Sequence, residues 1–245
     1  MSRIFLKNRA KAIRSFQIPT NSHSENINVD LSQPDIEADN LPLETWASSW
    51  VMASQLHLLP IQPPSPTTTA VPILELGAGT GLVGITAASV WRAPVVLTDL
   101  APIVPGLAAN ISLNEDLLAA SESSATCGTL DWTRPSELLL ESGERIAAGR
   151  RADIILAADT VYSEEHPELL VAVVLAWLAR HAEARFVITY AMRVAYLDEI
   201  REVWERLEAG GLEAVAEGQG RAGEDEFDDE CLCEWSVWKW KTVPI

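Results

Sequence analysis

The chain has 245 residues and a mass of 26.7 kDa, 48% hydrophobic, enough for one sizeable α/β core with a few appendages but not for two full domains. A formal net charge of -17 argues against a nucleic-acid-backbone binder, which needs clustered Lys and Arg, and points instead to basic partners. Cys127, Cys231 and Cys233 show no metal-ligand spacing with His23, His57, His166 and His181, and their odd number suggests no disulfide framework, so no metal site and a reducing compartment are expected: the cytoplasm, with nucleus and mitochondrion left open.

The opening "MSRIFLKNRAKAIRSF" carries five basic residues and no acid, the composition of a mitochondrial transit peptide, and is read here as a basic surface arm. From Gln17 to Asn40 the chain is polar and weakly periodic, a loosely packed lead-in with one short strand at "INVDL". Residues 1–40 are therefore read as an arm and 41–245 as the folded domain. "TWASSWVMASQLHLL" has helical spacing, and the proline-rich segment 60–70 that follows links it to the core.

Strands and helices then alternate. "VPILEL", "PVVLTDL", "ATCGTLDW", "ADIILAAD" and "ARFVITYA" read as buried strands; "TGLVGITAASVW", "VPGLAANISLN", the stretch from Pro167 to Arg180 and "YLDEIREVWERLEAG" read as helices. This alternation predicts a mostly parallel sheet with helices on both faces and a ligand beyond the carboxyl ends of its strands. "LEAVAEG" and "CLCEWSVWKW" are joined through an acidic loop, 220–230, with no helical pattern, so the last strand is expected antiparallel. The longest apolar run, "LLVAVVLAWLA", is about half the ~20 residues that span a bilayer, so no membrane association is expected.

The turn "ELGAGTGLVG" raises the chemical question. A dinucleotide fingerprint G-x-G-x-x-G would place its third glycine at Leu82, and no Lys or Arg lies in the turn, so the ligand is expected to carry no phosphate there. The next strand ends in Asp99, placed to accept hydrogen bonds from both ribose hydroxyls of an adenosine. The one after ends in Asp131 and Trp132, an acceptor for an adenine amino group and a cover for the ring. Three successive strand ends make an adenosine-shaped set, and S-adenosylmethionine fits it.

With these residues in view, the chain from about Leu41 to Trp240 resembles the seven-β-strand S-adenosylmethionine-dependent methyltransferases, and within them family 16, the protein-lysine methyltransferases acting on translation elongation factors and chaperones. Four stretches carry the resemblance: "TWASSWVMASQL", "ELGAGTG", "LDW" and "AADTVY". It implies a Rossmann-like sheet of seven strands, cofactor contacts from Trp46, Gly77, Ala78, Gly79, Asp99, Trp132 and Ala158, and a catalytic tetrad running from Asp159 to Tyr162. Asp159 is expected to orient the lysine amine and Tyr162 to wall its channel. A monomer acting on a protein with an accessible lysine is the expectation, the acidic loop being either a solvated connection or a dock for a basic surface. A small-molecule N-methyltransferase and a non-catalytic binding module are the alternatives.

Overall fold

The computed structural model describes residues 13–21, 25–33, 37–38, 41–42, 44–63, 71–149, 152–227 and 230–241. The basic segment 1–12 and residues 64–70 of the proline-rich linker lie outside these. In chain order the elements begin with β1 (Ile13–Pro19), β2 (Asn26–Ser32), β3 (Glu37–Ala38), β4 (Leu41–Pro42), α1 (Ala47–Gln55), β5 (Ile73–Leu76) and α2 (Leu82–Trp91). They continue with β6 (Val95–Asp99), α3 (Val104–Leu113), α4 (Glu115–Ala120), β7 (Ala125–Thr129), β8 (Glu137–Leu140), β9 (Arg145–Ala147) and β10 (Ile154–Ala158). The last are α5 (His166–Trp177), β11 (Arg185–Ala191), a 3-10 turn (Val194–Tyr196), α6 (Leu197–Ala209), β12 (Leu212–Arg221) and β13 (Leu232–Trp240).

The central sheet runs β12-β13-β11-β10-β5-β6-β7-β8-β9. Strands β11, β10, β5, β6 and β7 are parallel, and β13 is antiparallel to both of its neighbours, as its helix-free connection requires. The sequence "ILEL" of β5 and "IILAA" of β10 is buried along its whole length because helices cover both faces. Chain order reverses between β5 and β10, which makes their carboxyl ends the switch point where such sheets bind ligands.

The seven expected strands are all present, but the sheet has nine. A hairpin of β8 and β9 adds to the β7 edge, with Leu138 opposite Ile146 turned inward and Gly143 at φ +88° in its turn. The alternation in "ELLLESGERIA" is that of a hairpin with one solvated face, too short to stand out between two longer elements.

The segment expected as a loosely packed lead-in is a packed hairpin. Strand "INVDL" is as expected, but β1 pairs with it along its length, and Phe16, Ile18, Val29 and Leu31 are buried against the core. Two asparagines, Asn110 in α3 and Asn114 at the junction of α3 and α4, fix it. The side chain of Asn110 accepts the Ser32 N–H and donates to the Ser32 and Thr80 carbonyls, and that of Asn114 accepts the Asp30 N–H and donates to its carbonyl. The same hairpin holds the described part of the acidic loop. Arg14 lies over the rings of Phe16 and Phe227 and donates to the Glu226 carbonyl at 2.7 Å. Phe227 is buried, so the loop is anchored rather than wholly solvated; Asp228 and Asp229 lie outside the described residues.

Candidate active site

Between β5 and α2 the chain turns on three left-handed glycines, Gly77 (φ +62°), Gly79 (φ +55°) and Gly81 (φ +90°). Every second residue must accept a conformation that costs an L side chain about 1–2 kcal/mol, which explains G-A-G-T-G without invoking a pyrophosphate. The turn is fastened from three sides: Ala78 N–H donates to the Thr98 carbonyl, the Thr45 and Thr80 hydroxyls meet at 2.7 Å, and Gly79 N–H donates to Asp99 at 2.8 Å. Behind it sits Glu75, which accepts the Gly84 N–H. Burial, with the Asp99 charge adding to it, holds the Glu75 carboxyl well above the usual carboxylate range.

Two adjoining cavities open over this turn, of about 280 Å³ and 220 Å³, sharing Gly77, Asp99, Leu100 and Tyr162. Trp46, Ala78, Gly79, Ala158 and Asp159 border the first, and Asp131 and Trp132 border the second. All ten residues singled out from the sequence therefore meet at one place. A Cβ built on Gly77 would come within 3.0 Å of Thr160 and 3.5 Å of Trp132, so only glycine leaves the shared floor open.

Asp99 sits at the end of β6, its oxygens accepting the Gly79 and Leu100 N–H groups. Burial pushes its carboxyl up to about 6 despite those two donors. Asp131 differs. One oxygen takes the N–H and hydroxyl of Thr133 and the other the Arg134 guanidinium, and the Thr133 hydroxyl first, then Arg134, lowers its pKa. It borders the second cavity with its carboxylate already engaged by its own turn.

Trp46 is the N-cap of α1 and faces the first cavity rather than the core. Asp159 does not cap the next helix, which begins seven residues on at His166. It stands at φ +58°, a strained conformation for a residue other than glycine. Both its oxygens are held by Arg193, at 2.7 and 2.8 Å, and the Arg193 guanidinium lies 5.5 Å from the Trp46 ring. Tyr162 packs edge-on to His166 at 4.3 Å, Trp132 does so at 5.8 Å, and His166 Nδ1 accepts the Tyr162 N–H.

Sequence reasoning missed Arg193, His166, Glu44 and Tyr196, which line these cavities, and Glu75 behind them. His166 stands four residues after Tyr162 in the connection the tetrad already marked, a spacing signal that was available. Arg193 carries no local signal, because its partner is 34 residues away.

Glycine turn, strand-end acids and strand order together define a Rossmann-like S-adenosylmethionine-dependent methyltransferase. The fold is shared with P. horikoshii TYW2 in complex with MeSAdo, at TM-score 0.52 and 14% identity, over 95% of this chain and 73% of that one. Residues 25–203 match the lysine methyltransferase family, to which the chain belongs. It is 32% identical over 222 residues to the protein-lysine N-methyltransferase rrg1 of Schizosaccharomyces pombe, covering 89% of this chain and 69% of that protein. It is 30% identical over 230 residues to the protein-lysine N-methyltransferase EFM2 of Saccharomyces cerevisiae, covering 87% of this chain and 51% of that one. Among the described residues no helix is long and apolar enough to cross a membrane.

Proposed function

We propose that this chain methylates the ε-amine of a lysine in a protein substrate, with cofactor contacts around the glycine turn and the lysine entering beside Asp159 and Tyr162. One observation carries the reading: the tetrad after β10 opens onto the same cavity as Gly77, Gly79 and Asp99. The donor set suits S-adenosylmethionine, since the cavities carry Asp99 and Glu44 for a cationic ligand with ribose hydroxyls, and a glycine floor that a Cβ would crowd. When bound, that cofactor supplies a methyl group on a sulfonium, open to in-line attack by a neutral amine.

The chain's own residues supply position and dryness. Asp99 accepts from the ribose hydroxyls, Trp132 covers the adenine, and Trp46, Ala78 and Ala158 close around the rest. Asp131 borders the adenine side. Tyr162, braced by His166, forms the wall between the two cavities. Free lysine has a pKa of about 10.4, so the amine must shed a proton before attack. Asp159 orients it, and the proton passes transiently to Asp159 or to water.

Incubation with tritiated S-adenosylmethionine and size-separated cell extract tests this: a labelled protein band is expected, whereas label only in small molecules or in nothing would contradict it. Asp159→Asn keeps shape and tolerates the left-handed backbone. It is expected to remove most of the labelling at neutral pH while cofactor affinity, measured by calorimetry, stays nearly unchanged. Wild-type labelling in that variant would reduce the tetrad to a connection.

A basic protein surface is the favoured partner. The acidic loop springs from β12 and β13 at the carboxyl end of β11, where Leu232 accepts the Met192 N–H beside Arg193. Such steering is screened, with a Debye length of about 10 Å at 0.1 M salt and about 3 Å at 1 M. Neutralising Glu224, Asp225, Glu226, Asp228, Asp229 and Glu230 is expected to lower kcat/KM at low salt and flatten its salt dependence. The fold should persist, because Phe227 anchors the loop and the Arg14–Glu226 carboxylate contact is long, at 3.8 Å, and exposed. Equal salt slopes would return the loop to a plain connection. Action in the cytoplasm belongs to the same proposal, since three free, buried cysteines suit a reducing compartment, and so does action as a monomer.

A further inference from the structure

The ion pair between Asp159 and Arg193 stands inside the cavity assigned to the lysine. It is bidentate and well shielded, with the Asp159 side chain 7% exposed and that of Arg193 22%. Both partners are set by backbone. Asp159 N–H donates to the Thr189 carbonyl, Met192 N–H to that of Leu232, and Arg193 N–H to that of Ala191, so the ends of β10, β11 and β13 bring carboxylate and guanidinium together. The Trp46 ring adds a π face for the cation.

A bare carboxylate beside a lysine channel works in two directions. It attracts the ammonium form but raises the amine's pKa, and methyl transfer needs the neutral amine. We propose that Arg193 is a positioning residue that neutralises Asp159, so that an entering lysine meets a preformed neutral ion pair and loses its proton more readily than it would beside an unpaired acid. The inference rests on the proposed entry of the lysine beside Asp159, into the cavity that also takes part of the cofactor. Glu44 from the segment before α1, Asp99 from β6, Tyr162 after β10 and Tyr196 from the 3-10 turn also face this cavity, and all are common to the variants compared.

The test uses Arg193→Gln, Asp159→Asn and their double variant, with Arg145→Gln on the exposed β8–β9 hairpin as a control for net charge. The first readout is the pH dependence of labelling of the protein band. Arg193→Gln is expected to move the rising limb up by about one pH unit or more, because the unpaired carboxylate holds the lysine protonated. In the small residual labelling that Asp159→Asn retains once its orienting carboxylate is gone, the limb moves down, and in the double variant it returns toward wild type while the overall rate stays low. The second readout needs no turnover: the affinity of n-butylammonium chloride for the protein loaded with S-adenosylhomocysteine at pH 7, followed by NMR. Arg193→Gln is expected to bind it several-fold tighter and Asp159→Asn several-fold weaker, with Arg145→Gln as wild type. Equal n-butylammonium affinities across the set, or a pH limb unmoved in both single variants, would overturn the role of Arg193. Absence of any labelled protein band would instead count against the lysine reaction itself, leaving the n-butylammonium comparison to judge the pair.

Discussion

Alanine at Gly84 is expected to lower the melting temperature by about 6–12 °C, the shift that about 3 kcal/mol produces in a domain of this size. Gly84 lies inside α2, where its missing side chain lets the helix approach β5 and β6. A Cβ there would stand 2.6 Å from Leu97 Cγ and closer still to the Glu75 carboxylate. Neither neighbour has room, since Leu97 is fully buried and Glu75 nearly so. The intrusion also strains the hydrogen bond by which Gly84 N–H satisfies Glu75, and a buried acid losing its donor adds about 1–3 kcal/mol to the cost of overpacking. Because Glu75 backs the glycine turn, cofactor affinity should fall with stability. An unchanged melting curve, read by circular dichroism, would mean that α2 shifts freely away from the sheet.

Asp99→Ala is expected to weaken S-adenosylmethionine binding about 10- to 150-fold, the equivalent of about 1.5–3 kcal/mol for hydrogen bonds to a charged acceptor. The same residue makes binding depend on pH. With its carboxyl pushed up to about 6 by burial, Asp99 is ionised at pH 7 and takes up a proton as the pH falls through 6, which weakens its acceptance from ribose hydroxyls. Affinity should hold steady above pH 7 and fall toward about tenfold per pH unit below 6. Stability of the free protein follows the opposite sign. A carboxyl raised in the folded state above its ordinary value near 3.8 binds protons there more readily than in the unfolded chain, so this contribution grows as pH falls from 6 toward 4. Calorimetric titrations of wild type and Asp99→Ala at pH 7.5 and 5.5 check the affinity, and thermal unfolding of the free proteins at pH 6 and 4.5 checks the stability. An identical affinity for the two proteins, or a pH-independent wild type, would remove Asp99 from the ribose site.

The sheet was legible because its signals are local. Short continuous apolar runs such as "IILAA", bounded by turn residues, read as strands covered on both faces, and a glycine at every second position of "ELGAGTG" reads as a tight turn. The helix-free connection before "CLCEWSVWKW" gave the direction of the last strand. Of the β1–β2 hairpin only "INVDL" was legible; its pairing with β1 and its packing were not, because the groups that hold it, Asn110 in α3 and Asn114 just past its end, lie about 80 residues away with no hint of the contact in the sequence. The candidate site divides along the same line. Strand-end residues Asp99 and Asp131 could be placed from spacing and Asp159 from the family resemblance, but not the partners of their side chains. Asp131 turned out to bind its own turn, a contact within three residues, and Asp159 a guanidinium from beyond the end of β11, a contact that only the assembled sheet brings about.

The most direct measurement is the chemical identity of the labelled product. Protein that has taken up tritiated methyl groups in the presence of this chain should be separated from small molecules, hydrolysed in acid, and its labelled amino acids resolved. The account predicts that label elutes as methylated lysine and falls to a small fraction when Asp159→Asn replaces the wild-type chain at neutral pH. Label recovered as methylated arginine or histidine, or released as methanol by mild base from a carboxyl ester, would contradict it.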